Sequence, residues 1–368
     1  MRITFVINSL RLGGAQRALI NVLEAFHGRG HTVSLVTLYR KETDFFRLSE
    51  DIAHIALGVE KETSGIAQKI IQNARRVTAI RQAIVSARPN IVISFLPETN
   101  ILVLLALAGT RCPVLVVEQN DPLRSNLDAP WRILRRLTYP AAAILVCSSK
   151  GVSDGFGWLP PSKRRVIFNT ITHADIDTPA ESQAYANPRR RHVIAMGRLH
   201  RQKGFDLLID AFSQIAAHYR DWDLTIWGEG GERHALESQI KQANLGDRVY
   251  LPGATPNPQG VMKAAQLFVL SSRYEGFGNV LIEAMACNLP IISFDCPSGP
   301  GEIIQDGVNG VLVSPEDVTA LAEAMEQLLR DDRKRESLAS AARRALERFV
   351  INNVFPQWEE LLQRILSQ

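Results

Sequence analysis

The sequence predicts an α/β protein of two domains, each built on an open parallel sheet covered by helices. At 368 residues the chain exceeds the size at which a single hydrophobic core keeps growing, so two domains are expected. Short apolar runs alternate with helix-length amphipathic segments, which is typical of parallel sheets joined by helices. Beyond Ser314 only helical pattern remains.

The strand-like runs form two sets separated by one polar segment. The first set is ITFVIN, TVSLVTL, NIVISF, PVLVVE, AAILVCS and RRVIF, and the second is RHVIAMG, DLTIWG, RVYLPG, LFVLSS, PIISFD and GVLVS. Between them TITHADIDTPAESQAYANPRRR has no periodicity and indicates a linker. We therefore expect an N-terminal domain over residues 1–174 and a C-terminal domain over 175–351. The final helix, about 352–368, should pack back onto the first domain.

Composition indicates a soluble protein of a reducing compartment. Hydrophobic residues make up 46% and charged residues 22% of the chain, which is ordinary for a globular protein. The four cysteines are irregularly spaced inside apolar runs and suggest buried thiols of the cytosol. The longest apolar run, ILVLLALAG, is about half of the roughly 20 residues that a membrane-spanning helix needs.

Charge is distributed unevenly along the chain. Residues 1–165 contain 22 Lys and Arg against 12 Asp and Glu, a net of +10, whereas the remainder contains 20 against 26, a net of −6. The N-terminal half is therefore suited to anionic surfaces or ligands. No nucleic-acid-binding motif accompanies this charge, so we do not expect a nucleic acid partner.

A first candidate loop, NSLRLGGAQRAL, lies between strand one and a helix. Gly13 and Gly14 permit close approach of a ligand to the backbone, and the following helix N-terminus favours an electron-rich group. The alternative is an ordinary tight turn, because the third glycine of the dinucleotide-binding fingerprint is missing.

A second candidate loop, MGRLHRQKGFDLL, carries two cations at a strand end. Arg198 offers a planar fork and Lys203 a point charge, a pair that can hold a diphosphate. The alternative is a pair of solvated surface charges.

A third candidate, YEGFGNVLIEAMA, places two carboxylates eight residues apart. With Asn279 as the N-cap, Glu283 lies one turn inside an otherwise apolar helix and Glu275 in the loop before it. A carboxylate among apolar neighbours needs a partner, and paired ribose hydroxyls are suitable partners for Glu283.

In this order and spacing the three loops, together with GEGGER at 228–233, resemble the retaining glycosyltransferases of family 4 over nearly the whole chain. The resemblance implies the GT-B fold, in which two Rossmann-like domains face each other across a cleft. It also implies that Arg198 and Lys203 neutralise the leaving diphosphate, that Glu275 contacts the transferred sugar, and that Glu283 binds the ribose. Further implied substrate contacts are Gly13, Gly14, Gly228, Gly230, Gly276, Phe277, Gly278 and Asn279.

The sequence departs from the family pattern in the N-terminal half. Gln16 stands where many members have Glu, and VEQNDP stands where many have His. Glu118, Gln119 and Asn120 of that loop are still candidates for contacting the acceptor or the donor sugar, whereas Asp121 is either a contact or a turn residue before Pro122. No catalytic base is evident there, but in a front-face mechanism the leaving phosphate can accept the acceptor's proton.

No metal or other cofactor is expected beside the nucleotide-sugar donor. The two Asp-x-Asp sequences, at 175–177 and 221–223, lie in the linker and at the start of a strand, away from the strand-end loops. The histidines form no metal-binding cluster.

The segment APWRILRRLTYP, residues 129–140, mixes Trp131, Ile133 and Leu137 with three arginines on the basic half of the chain. Either it is an ordinary packed helix or it rests on an anionic membrane and a lipid-linked diphosphate. It resembles family members that extend sugars on polyprenyl diphosphate. This implies a UDP-sugar donor (N-acetylgalactosamine, galactose or glucose), a lipid-linked glycan acceptor and peripheral contact with the inner face of the cell membrane.

Two other functions remain open at this stage. A nucleotide-sugar hydrolase or epimerase would use the same two domains, but it would need acid and base groups at the anomeric carbon, and only Glu118 and Glu275 are candidates. A non-catalytic sugar-nucleotide-binding subunit is compatible with Gln16 and the missing His.

Overall fold

The computed structural model describes residues 1–60, 65–125, 127–172, 179–180, 185, 187 and 189–367. The chain divides into two compact units, Met1–Thr170 with Ile351–Gln368 (unit 1) and Ile171–Val350 (unit 2). The division falls a few residues before position 174, where the sequence predicts the domain boundary. Most of the predicted linker, including the Asp-x-Asp sequence at 175–177, lies outside the described residues.

Both units alternate strands and helices, which confirms the predicted α/β fold class. The strands are β1 (Arg2–Ile7), β2 (Thr32–Thr37), β3 (Ala53–Ala56), β4 (Ile91–Phe95), β5 (Val114–Glu118), β6 (Ile144–Cys147), β7 (Arg164–Val166), β8 (Arg191–Met196), β9 (Trp222–Trp227), β10 (Val249–Gly253), β11 (Leu267–Leu270), β12 (Ile291–Phe294) and β13 (Val311–Val313). The helices are α1 (Gly14–His27), α2 (Ile66–Ala87), α3 (Pro97–Ala106), α4 (Ala129–Thr138), α5 (Lys150–Asp154), α6 (Phe205–Ile215), α7 (Arg233–Gln242), α8 (Pro258–Lys263), α9 (Asn279–Ala286), α10 (Pro300–Ile303), α11 (Val318–Arg330), α12 (Asp332–Ala345) and α13 (Ile351–Leu366).

Unit 1 is a parallel sheet with helices on both faces. Its strand order is β3-β2-β1-β4-β5-β6-β7, with Ile3 of β1 aligned to Val33 of β2 and to Ile91 of β4. Helices α1 and α13 cover one face, and α2 to α5 cover the other. The central strands β4, β5 and β6 are buried along their whole length, which explains their nearly continuous apolar sequences.

Unit 2 repeats this arrangement with strand order β10-β9-β8-β11-β12-β13, all pairs parallel. Helices α6, α7 and α11 pack on one face of the sheet through one apolar cluster. Helix α9 contacts β12 and α12. The order reverses between β8 and β11, so the loops after these strands diverge and leave room for a ligand.

Three local features differ from the prediction. The short edge strand β3 was not predicted. The N-cap of α9 is Gly278, in the left-handed region with φ 93°, and Asn279 is the first helical residue. The predicted burial of the thiols applies to Cys147, Cys287 and Cys296, whereas Cys112 is half-buried; all four are free.

Candidate functional site

In unit 2 the candidate residues lie on loops that leave the carboxyl ends of neighbouring strands. We name them the β8 loop (197–204), the β9 loop (228–232) and the β11 loop (271–278). The Nζ of Lys203, on the β8 loop, lies 2.5 Å from Oε1 of Glu275, on the β11 loop. The same carboxylate oxygen accepts a 2.7 Å hydrogen bond from the hydroxyl of Ser272. The sequence-predicted cation and carboxylate therefore meet, although 72 residues separate them.

Glycines allow these loops to approach one another closely. Gly204 has φ 61°, and a Cβ placed there would lie 2.0 Å from the carbonyl oxygen of Ser271. A Cβ at Gly228 would lie 1.8 Å from the carbonyl oxygen of Gly197, and one at Gly230 would lie 2.2 Å from that of Leu199. No side chain fits at these distances, so the three glycines are required by loop packing.

Two further charged candidates, Arg198 and Glu283, also belong to unit 2. Arg198 follows β8 and has an exposed side chain; among the described residues, no hydrogen bond or ion pair engages its guanidinium. Glu283 is the fifth residue of α9 and is half-buried, whereas the apolar residues around it are buried. The expected burial of this helix around a carboxylate is therefore observed.

In segment 276–279 the groups available to a ligand are backbone groups rather than side chains. Phe277 is buried, and its ring packs edge-on against Phe349 at 5.7 Å between centroids. The carbonyl oxygen of Phe277 would lie 2.1 Å from a Cβ at Gly299, so the loop after β12 also packs tightly here. Gly276, Gly278 and Asn279 complete the turn into α9.

In unit 1 the paired glycines stand at the start of α1. Gly13, six residues after the end of β1, is the N-cap of α1, and Gly14 is its first residue. A Cβ at Gly13 would lie 2.4 Å from Oε1 of Gln16, so the glycine accommodates this side chain.

Glu118 does not lie where the predicted contact with a sugar would require. Its carboxylate is 1% exposed and accepts a hydrogen bond from the hydroxyl of Tyr139. Burial raises the pKa of Glu118 to about 7, while the Tyr139 hydrogen bond and the charge of Arg135 oppose the rise. A carboxylate enclosed in this way is engaged within the protein, which does not fit the predicted sugar contact.

The next residues of this loop are also bound internally. Gln119 is buried and accepts a 2.6 Å hydrogen bond from Nδ2 of Asn169. Asp121 accepts hydrogen bonds from the backbone N–H of Leu123, at 2.9 Å, and from Arg124, at 2.8 Å. Asp121 is therefore the turn residue that the sequence left open, and Asn120 is the exposed side chain between them.

A cavity of about 380 Å³ with a mixed polar and apolar lining lies at the carboxyl ends of the unit 1 strands, and the sequence did not reveal it. Asn8, Tyr39 and Asn120 line it from the loops after β1, β2 and β5. Glu98, from the first turn of α3, and Arg76, from α2, complete its polar wall. These residues come from distant parts of the chain, so the only available signal was their position just after strands.

Apolar side chains are exposed on two helices of the same face. On α4, Ile133 is 62% and Leu137 71% exposed, while Trp131 and Leu134 pack inward. On α2, Ile66, Ile70 and Ile71 are 80%, 64% and 53% exposed. Within the described ranges, every helix is too short or too polar to span a bilayer.

The second Asp-x-Asp sequence lies at the opposite edge of the unit 2 sheet. Asp223, at the start of β9, is fully buried, and its Oδ1 pairs with Arg190 at 2.9 Å and with Arg248 at 3.1 Å. Its partners are thus cationic side chains at the amino-terminal edge, away from the loops of the candidate site.

Two family models match the chain in succession. The one described as Glycosyltransferase Family 4 matches residues 12–175, and the one described as Glycosyl transferases group 1 matches residues 177–345. With the two parallel sheets, these matches define an α/β glycosyltransferase with two Rossmann-like domains. The chain belongs to the glycosyltransferases of the GT-B fold, as the sequence resemblance implies.

Its relatives include enzymes that elongate glycans carried by undecaprenol. An N-acetylgalactosaminyltransferase of Campylobacter jejuni is 27% identical over 99% of both chains, and its name specifies GalNAc-alpha-(1->4)-GalNAc-alpha-(1->3)-diNAcBac-PP-undecaprenol as the substrate. A second enzyme of that organism, named for N-acetylgalactosamine-N,N'-diacetylbacillosaminyl-diphospho-undecaprenol, is 28% identical over 69% of this chain and 71% of its own.

Solved structures share the fold at lower identity. HepE of Anabaena, solved with UDP, has a TM-score of 0.81 and 21% identity, covering 99% of this chain and 100% of its own. Sucrose-phosphate synthase of Thermosynechococcus elongatus has a TM-score of 0.85 and 21% identity, covering 100% and 99%.

Proposed function

We propose that the protein transfers a sugar from a UDP-sugar to a lipid-linked glycan, with retention of anomeric configuration. The observation that carries the donor side is the arrangement in unit 2, where Lys203 contacts Glu275 and Arg198 follows β8 at the same edge of the sheet. A diphosphate binds the two cations, the ribose binds Glu283, and the transferred sugar contacts Glu275. That HepE, with the same fold, was solved with UDP supports the choice of nucleotide.

The chemistry follows from this placement of charge. The bond between the anomeric carbon and the β-phosphate oxygen breaks, and its electron pair remains on UDP. The acceptor hydroxyl oxygen bonds to the anomeric carbon on the face that the phosphate leaves, and its proton passes to the departing phosphate oxygen. Arg198 and Lys203 stabilise the negative charge that grows on the diphosphate. The reaction then needs no metal ion and no basic residue of unit 1, and transfer should persist in EDTA.

The acceptor side of the proposal rests on unit 1. The cavity at the ends of β1, β2, β4 and β5 presents, beside apolar side chains, the amide, hydroxyl, cationic and carboxylate groups that bind saccharides through hydrogen bonds. The two Campylobacter relatives are named for undecaprenol-linked substrates. We therefore propose a lipid-linked oligosaccharide acceptor, as in bacterial polysaccharide or glycan synthesis, and N-acetylgalactosamine, galactose or glucose as the transferred sugar.

A lipid-linked acceptor places the protein at a membrane, and we propose the cytoplasmic face of the cell membrane. The exposed isoleucines of α2 lie beside the exposed cations Lys69 and Arg75, a combination that favours an anionic bilayer surface. Cosedimentation with phosphatidylglycerol vesicles tests this, using Ile70→Ser with Ile71→Ser against Val85→Ser. Val85 is 54% exposed on the same helix, about 20 Å from Ile71 along the axis. Equal binding by all variants would argue against the α2 contact.

The transfer activity is tested with labelled UDP-sugars and a synthetic polyprenyl-diphosphate glycan. Transfer is the expected product, whereas free sugar would indicate a hydrolase and binding alone a non-catalytic subunit. Replacing Arg198 and Lys203 together by Ala should lower transfer by at least about 100-fold. Arg201→Ala removes an exposed cation of the same loop and serves as the matched control. Full transfer by the double variant would refute the proposed donor site.

A further inference from the structure

The structure assigns to Arg273 the role of a positioning residue that sets the spacing of the donor loops. This inference rests on the proposed donor site. Arg273 lies on the β11 loop, two residues before Glu275, and its side chain is 14% exposed. Its guanidinium reaches the β8 loop, the start of α6 and the loop after β13, so one side chain connects three strand-end segments of unit 2.

The contacts of the guanidinium have the geometry of a planar fork. NH1 donates to Oδ1 of Asp206 at 2.8 Å, and NH2 donates to Oδ2 of the same carboxylate at 2.6 Å. NH1 also donates to the carbonyl oxygen of Arg201 at 2.8 Å, and Nε donates to Oε2 of Glu316 at 2.9 Å. Four of the five N–H donors that a guanidinium carries are thus committed within the protein. Arg273 therefore holds the loops and leaves diphosphate binding to other cations.

Three further hydrogen bonds around Arg273 join the β8 loop to the β11 loop. Its backbone N–H donates to the carbonyl oxygen of Gln202 at 2.8 Å. The Gln202 side chain donates to the carbonyl oxygen of Tyr274 at 3.0 Å, and the Ser271 hydroxyl donates to that of Lys203 at 2.9 Å. These bonds lie immediately beside Lys203 and Glu275. The short distance between those two charged groups therefore depends on the spacing that the Arg273 contacts impose.

Glu316 extends this connection to a third loop. It follows β13 and has φ 60°, a conformation uncommon for a residue with a Cβ. Such a conformation persists where surrounding contacts hold it, and here the contact is the charge-assisted hydrogen bond from Nε of Arg273. The geometry requires arginine, since a lysine ammonium lacks the planar fork that pairs with both oxygens of Asp206.

The variant Arg273→Lys keeps the charge and removes the fork. We expect it to increase amide hydrogen exchange in both the β8 loop and the β11 loop of the free protein. We also expect UDP to bind about tenfold more weakly, since loss of charged hydrogen bonds displaces Lys203 and Glu275.

The matched control is Arg248→Lys. Arg248 is 11% exposed and pairs with Asp223 at the opposite edge of the same sheet, so its loss should lower the melting temperature without changing exchange in the two loops or UDP affinity. If Arg273→Lys loosens these loops no more than Arg248→Lys does, the positioning role is wrong. If the wild-type protein binds no UDP, the proposed donor is wrong, while the exchange comparison still decides the role of Arg273.

Discussion

The ion pair between Lys203 and Glu275 shows how single residues of the proposed donor site depend on one another. Their 2.5 Å contact neutralises both charges in a nearly buried position, with Lys203 18% and Glu275 8% exposed. A diphosphate bound to Lys203 therefore competes with Glu275 for the ammonium. The Glu275 carboxylate thus has two opposite effects on the donor. In the proposed complex it contacts the sugar, but it also holds the Lys203 ammonium that the diphosphate needs.

This competition predicts that Glu275→Gln separates binding from catalysis. The amide can still accept the hydrogen bond from Ser272 but no longer holds Lys203 or repels an anionic ligand. We expect UDP to bind at least as tightly as in the wild type by calorimetry, while transfer falls by about 10- to 100-fold through the lost charged contact to the sugar. The control is Glu326→Gln, which removes the same charge from α11, where Glu326 pairs with Tyr219. A parallel loss of UDP affinity and turnover would contradict this account.

The raised pKa of Glu118 predicts that the stability of unit 1 depends on pH. Its pKa is raised by burial from 4.5 to about 7, so the folded state retains a proton that the unfolded state releases between these values. Stability must therefore fall as pH rises from 4.5 to about 7, by up to about 3 kcal/mol, and then remain level with respect to this group. Below pH 4.5 both states are protonated and the effect vanishes.

The test compares wild type with Glu118→Gln, which keeps an acceptor for the Tyr139 hydroxyl without the titration. We expect the difference in melting temperature between pH 5 and pH 8 to be smaller in the variant, and the variant to be the more stable protein at pH 8. Identical pH profiles for the two proteins would mean that Glu118 does not titrate in this window.

At the scale of elements, the proposed donor site depends on how closely loops pack at the carboxyl end of the unit 2 sheet. The β8 and β11 loops leave neighbouring strands, and Gly204 allows them to touch. A side chain there would have to push back the carbonyl of Ser271, on the same loop as Glu275. The strand order thus brings the loops together, and Gly204 permits the close approach that the Arg273 contacts hold.

We predict that Gly204→Ala disrupts this contact. The Cβ would lie 2.0 Å from a backbone oxygen in a left-handed conformation, which should destabilise the protein by about 2–4 kcal/mol. UDP affinity should fall at least about tenfold at temperatures where the variant is folded. Gly246→Ala is the control, because a Cβ there meets no atom within 4 Å. Undiminished UDP binding by Gly204→Ala would mean that donor binding does not depend on this loop packing.

Sequence reasoning succeeded for features that are local or ordered along the chain. The strands of unit 2 alternate with helices, and the sequence pattern singled out Lys203 and Glu275, whose loops meet in the fold. It failed where a contact joins distant segments. The partner of Glu118 lies 21 residues away, and no local pattern indicates that Tyr139 covers it. The four-residue edge strand β3 is too short and too exposed to show a clear period.

At the scale of the whole molecule, unit 1 is discontinuous in sequence. The chain completes unit 2 and then contributes α13 to the core of unit 1, where Phe355 is fully buried with its ring 4.6 Å from that of Phe26. The guanidinium of Arg29 lies 3.9 Å from the centroid of the Phe355 ring. The stability of the first unit therefore depends on residues that follow unit 2 in the chain.

Phe355→Ala should consequently destabilise the unit to which the N-terminal residues belong. Loss of a buried aromatic side chain costs about 3–5 kcal/mol, and hydrogen exchange should locate that loss in β1, β2 and α1 while protection of β8 to β12 is retained. Leu366→Ala, at a position 39% exposed at the end of the same helix, should leave exchange unchanged. A loss of protection spread equally over residues 189–350 would instead mean that the two units unfold as one cooperative body, so that the C-terminal helix stabilises the donor-binding unit as well.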